Sequence, residues 1–151
     1  MNREKRRLKL AQRQALLAQV SQRTAMRALA DAVSEEGRSE SLAARSRDLV
    51  RRYSAADRSG DAQMPAETLA QTGAFTAALA GLASDAEQSR ADAAQQAQWQ
   101  ADALGKAQVK ANRHAERLTK ARADLEAIKA RRDLDPAIAP NAERRIGTHS
   151  A

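Results

Sequence analysis

The stretch LGKAQVKANRHAERLTKARADLEAI, residues 104–128, decides the fold. Its inward candidates are Leu104, Ala107, Ala111, His114, Leu118, Ala121, Leu125 and Ile128. Their spacings alternate between three and four, the seam of a left-handed coiled coil. Upstream the same phase selects Leu79, Ala83, Ala86, Ala93 and Ala97, interrupted by Arg90 and Gln100. Between Ala66 and Asp133 there is no proline. One helix over that span would reach roughly 100 Å at 1.5 Å per residue. That is too long for a compact domain and suits a coiled coil. Gly73, Gly81 and Gly105 weaken the helix locally.

Working outward, residues 3–57 hold no proline and one glycine, Gly37. Apolar residues recur at Leu10, Leu17, Val20, Met26, Leu29 and Val33, then at Leu42, Leu49, Tyr53 and Ala56. The polar run at 34–41 around Gly37 predicts a kink or a stutter, because it lacks Pro and Asn-Gly or Asp-Gly. The main break is DRSGDAQMP, residues 57–65. Pro65 suits the first turn of a new helix, where its missing N–H costs nothing. Glu67 then complements the helix dipole. Pro136 and Pro140 are expected to end that helix, and residues 134–151 read as a disordered tail. The expected fold is all-α, a long two-helix antiparallel coiled-coil hairpin over residues 1–133. Its parts are a helix at about 5–57, a turn at 58–65 and a helix at about 66–133. A turn near residue 61 makes facing positions total about 124. Leu49 would then face Phe75, Leu42 would face Leu82, and residues beyond about 121 would have no first-helix partner.

Composition agrees with a thin core. Of 151 residues, 64 are apolar, but 37 of these are Ala. Burying a large side chain is worth roughly 1.5–3 kcal/mol and an Ala methyl far less, so a multilayer core is not expected. The absence of Cys excludes a disulfide scaffold, a thiol nucleophile and Cys-based metal sites. No run approaches the roughly 18–20 apolar residues that cross a bilayer. The basic N-terminus has no apolar segment behind it and is not a secretory signal. A cytoplasmic location is expected.

Charge is segregated. Residues 1–60 carry 14 basic and 7 acidic side chains, residues 61–104 carry 1 and 6, and residues 105–151 carry 11 and 6. In a hairpin both basic segments gather at the open end. Solvated helix faces are the plain reading, and a basic end that enters an acidic receptor is the sharper one.

Chemistry-bearing motifs are missing. His114 falls on the seam and His149 in the tail, without further ligands at helical spacing. Phosphate loops, nucleophile elbows and zinc-protease motifs do not occur. Neither enzyme activity nor a cofactor or metal is expected. Arg3, Lys5, Arg6, Arg7, Lys9 and Arg13 could bind phosphates. They form no groove-facing strip, and Trp99, Tyr53 and Phe75 are too far apart to serve as stacking platforms. No nucleic-acid partner is expected, although a basic nucleic-acid-binding coiled coil is an alternative reading. A self-associating structural coiled coil is another. Phe75 and Leu82 each fall one residue before the seam positions 76 and 83, so they should flank it, partly exposed, as a docking patch.

The basic N-terminus, the long helix ending in Leu49 and Tyr53, the Gly-containing connection and the Phe75-x-x-x-Leu79-x-x-Leu82 stripe resemble the FliJ family of flagellar export proteins. Trp99 and the run from Lys106 to Leu118 share in the likeness, which spans most of residues 3–133. The related injectisome stalk proteins have the same architecture. The resemblance implies a small cytoplasmic antiparallel coiled coil similar to the stalk of rotary ATPases. It implies three partners: a hexameric export ATPase, the cytoplasmic region of the export gate membrane protein, and export chaperones. Association with the inner membrane would be peripheral, through partners. Carried over by position, the gate patch is Leu42, Leu49, Tyr53, Phe75, Leu79, Leu82 and Ala86. Arg45 and Ser46 depart from the apolar or aromatic residues usual in the family. The ATPase-ring contact would be Arg6, Arg13, Leu118, Arg122, Leu125, Ile128 and Arg131.

Overall fold

The computed structural model describes residues 2–59 and 65–138. It contains two helices, α1 (Asn2–Ser59) and α2 (Ala66–Ile138), packed as an all-α helical hairpin. No strand occurs among the described residues. Contacts divide the chain into two compact units. In the first, residues 2–20 pack with residues 109–138; in the second, residues 21–59 pack with residues 66–108.

α2 starts where its signals place it. The Pro65 carbonyl accepts from the Thr68 and Leu69 amides at 3.0 and 3.1 Å, which opens the helical ladder. Glu67 lies in the first turn, against the positive end of the helix dipole. At its far end α2 runs through Pro136 to Ile138, so Pro136 does not stop it. The rest of the expected tail, residues 139–151 with Pro140, lies outside the described residues, as do Gly60 and Asp61 of the expected turn.

Burial on α2 follows the expected seam. Ala83, Ala86, Ala97, Ala111, Ala121 and Leu125 are buried. Leu79, Ala93, Gln100, Leu104, Ala107, His114, Leu118 and Ile128 are half-buried. Arg90, the interruption in that phase, is exposed.

α1 does not follow its largest apolar residues. Leu10, Leu17, Val20, Met26, Val33, Leu42, Leu49 and Tyr53 are exposed. Glu4, Ala28, Asp48 and Ser54 are half-buried, and the low-exposure positions that form its seam are Leu8, Ala11, Ala15, Ala18, Gln22, Ala25, Leu29, Ala32, Glu36, Ser39, Ala43, Ser46 and Val50. These alternate three and four without a fault, and of the expected set only Leu29 lies among them. Small seam residues let two helix backbones come close, and interaxial distance depends on the side chains at the contact. The leucines beside that seam stay exposed. Three polar seam residues bond within their own helix. The hydroxyls of Ser46, Thr72 and Thr76 donate to the carbonyls of Leu42, Thr68 and Thr72 at 2.9, 2.8 and 2.6 Å.

The seam also passes Gly37 without changing phase, with Glu36 and Ser39 on it, so the expected stutter is not found and the helix is continuous. A Cβ added at Gly37 would meet nothing within 4 Å.

Register differs from the expected one. In the first unit the numbers of facing residues total 131 at the Arg7–Asp124 ion pair. In the second they total 134 at Arg47–Glu87 and 128 at Tyr53–Phe75. A total near 131 replaces 124, a shift of about one heptad. Leu125 therefore lies level with residue 6 and is only 6% exposed. The seam expected to lack a partner beyond residue 121 is covered as far as Ile128, while Lys129 pairs with Glu126 of its own helix at 2.8 Å and residues 130–134 are exposed.

Candidate functional site

In a coiled coil the position just before every second seam residue forms a flank. On α1 this position holds Leu42 and Leu49; on α2 it holds Phe75 and Leu82. All four lie in the second unit, and all are exposed, from 43% at Leu49 to 61% at Leu82. At a register total near 131, Leu49 is level with Leu82. Tyr53 closes the patch at one end: its ring meets Phe75 edge-on, with centroids 5.1 Å apart and planes at 78°. Such a pair satisfies the opposed charge of ring edge and ring face. Phe75 thus meets Tyr53, not Leu49 as the shorter register implied, and Leu42 lies level with residue 89 instead of Leu82.

The seven residues expected to form the gate patch therefore separate. Leu42, Leu49, Tyr53, Phe75 and Leu82 gather on one exposed flank. Leu79 is half-buried and Ala86 buried, so these two belong to the seam. The opposite flank of the same unit is polar. Glu87 receives Arg47 of α1 at 2.8 Å and Arg90 of its own helix at 3.0 Å. A shallow groove on that side is lined by Ala44, Arg47, Val50, Arg51, Ala80 and Ala83.

The expected ring contact separates too. Arg6, Arg13, Arg122 and Arg131 are exposed, while Leu118 and Ile128 are half-buried and Leu125 is buried. The apolar members lie on the seam of the first unit, Leu125 deepest. What they leave at the surface is charge. The first unit, with its terminal segments, carries 16 basic and 7 acidic residues, net +9; Ser21–Gln108 carries 10 and 12, net −2. One of the first unit's charges is shared across the helices, where Arg7 meets Asp124 at 3.6 Å.

His114 sits half-buried on the seam. Among the described residues no three metal-ligating side chains come together, and no helix is long and apolar enough to cross a membrane. Leu10, Leu16 and Leu17, exposed on the outside of α1, carry surface that a reading of large apolar residues assigns to the core. Leu10 and Leu17 are seven apart and out of phase with the alanines, and that phase difference is the signal that marks them as outward.

Compared with known proteins, the chain matches no family model, no curated protein and no solved structure.

Proposed function

We propose that the chain is a non-enzymatic coiled-coil adaptor that holds partners together. In the specific form the sequence suggests, it is a FliJ-like stalk of a flagellar-type or injectisome export ATPase, joining the ATPase ring to the export gate and to export chaperones. The observation that carries the reading is the exposed flank of Leu42, Leu49, Tyr53, Phe75 and Leu82. A hairpin that closes its seam with alanine yet leaves five large apolar side chains together in water has a surface shaped for docking. Aromatic anchors of this kind carry a disproportionate share of binding energy. The basic first unit supplies the second contact, because Arg6, Arg13, Arg122 and Arg131 can steer an acidic ring onto it. The apolar shaft is not part of this reading, since Leu125 is buried within the hairpin.

Pull-down with the export ATPase and with the cytoplasmic region of the gate protein tests it. Phe75→Ala and Leu82→Ser should abolish gate capture while helicity is kept. Arg6→Glu with Arg131→Glu should weaken ATPase capture alone. Capture of neither protein by the wild-type chain, together with steeply salt-dependent binding to random-sequence DNA, would replace the adaptor with a nucleic-acid binder.

A further inference from the structure

A second heptad runs along the outer face of α1, away from the seam. Its members are Arg3, Arg6, Leu10, Arg13, Leu17 and Val20, spaced three and four in alternation, and all are exposed. Three are cationic, none is acidic, and Leu10, Leu17 and Val20 are 53–62% exposed. The seam of this segment is Leu8, Ala11, Ala15 and Ala18, so the outer stripe lies off the hairpin's seam.

α2 carries a stripe of the opposite sign. Asp85, Gln88, Asp92, Gln95, Trp99 and Asp102 alternate four and three on its outer face, and all are exposed. Three are anionic and none is cationic. Gln88 donates to Asp92 at 3.0 Å and holds that carboxylate on the stripe. Trp99, near one end of this otherwise polar stripe, is 58% exposed.

We infer that a second copy of this chain docks by laying the basic α1 stripe of one molecule along the acidic α2 stripe of another. Both stripes have the repeat that lets helices track each other. Laid antiparallel, one register brings Arg3 to Asp102 and Arg13 to Asp92 together. That register also brings Arg6 over Trp99, where a guanidinium on the indole face is attracted by the ring's quadrupole. No other register of the two stripes joins two ion pairs and the cation–π contact at once. Each copy offers one stripe of each sign, so the contact is heterologous and need not stop at two molecules. Because the contact is charged and exposed, it should be weak and sensitive to salt, as pairs in water are screened within about 10 Å at 0.1 M.

Sedimentation equilibrium on the whole chain tests this without any partner protein. At low salt the average mass should rise with concentration above the 16.3 kDa of one chain, and at about 1 M salt it should return to that value. Arg13→Glu alone and Asp92→Arg alone should each weaken association at least tenfold with unchanged helicity. Mixing the two variants restores every charge pair and should restore association. A chain that stays monomeric at low salt, association that persists in both single variants, or a mixture that fails to recover would overturn the inference. The adaptor reading stands or falls separately, on capture of its partners.

Discussion

The two units build the same coiled-coil pairing from different material. In residues 2–20 and 109–138 the seam holds Leu8, Leu118, Leu125 and Ile128 among its alanines, and the flank carries the Arg7–Asp124 ion pair. In residues 21–59 and 66–108 the seam admits Gln22, Glu36, Ser39, Ser46, Thr72, Thr76 and Gln100, while leucine and aromatic side chains stand on the flank. The first unit puts Leu118, Leu125 and Ile128 where they stabilise the hairpin and leaves Leu10, Leu16 and Leu17 on its outside. The second keeps Leu29, Val50, Leu79 and Leu104 on its seam but sets Leu42, Leu49, Phe75 and Leu82 on one exposed flank. Apolar area is the main favourable term in both folding and association, so an apolar side chain placed on the seam stabilises the hairpin and one left on the flank does not.

The sharpest way to break this contrast is to truncate one leucine in each unit. Leu125→Ala should cost at least about 2 kcal/mol, since the side chain is buried and leaves a cavity. Leu82→Ala should stay within about 0.5 kcal/mol, as expected for an exposed position. Thermal melts followed by circular dichroism compare the two directly. Equal losses would mean that the flank is structural and the contrast false.

Next in size is an insertion at the tightest point of the seam. Ala43 is 0% exposed, so Ala43→Leu forces the helices apart and should cost about 1–3 kcal/mol by the same melts. A neutral or stabilising outcome would show that the alanine seam is loosely packed and that close approach is not what excludes the large residues of α1.

A double-mutant cycle on Tyr53 and Phe75 sharpens the account of the patch. Their coupling in stability should be about 0.5–1.5 kcal/mol, and the loss in partner binding from either single change should exceed its loss in stability. The smallest expected effect is a gain. Gly37→Ala should raise stability by about 0.5–1 kcal/mol, because the site is helical and the added methyl meets no neighbour. A lower melting temperature would mean that the glycine serves some local bend.

Legibility in the sequence follows the same division. The α2 seam could be read because Leu104, Leu118, Leu125 and Ile128 mark its phase with large side chains. From there the alanines could be counted off correctly. On α1 only Leu8, Leu29 and Val50 are large and on the seam, and the eye follows Leu10, Leu17, Leu42 and Leu49 instead. Hydrophobicity ranks Leu above Ala, but a close helix pair selects by volume, and a reading by hydrophobicity alone chooses the wrong face. The patch was legible in part for a related reason. Phe75 and Leu82 stood one residue out of phase with a well-marked seam, whereas Leu79 and Ala86 lay on it. Register lies about a heptad away from the one that the centre of the connecting segment implies, because nothing in an alanine-rich seam pins one alignment over the next.

Hydrogen exchange of the isolated chain, resolved by segment, tests the central claim most directly. Amides of residues 118–128 should exchange slowly without any partner, and more slowly than those of residues 66–80, because Leu118, Leu125 and Ile128 are packed against the start of α1. Exchange of residues 118–128 as fast as in an unfolded peptide would contradict the account. It would return Leu125 and Ile128 to an unpaired, solvent-facing end.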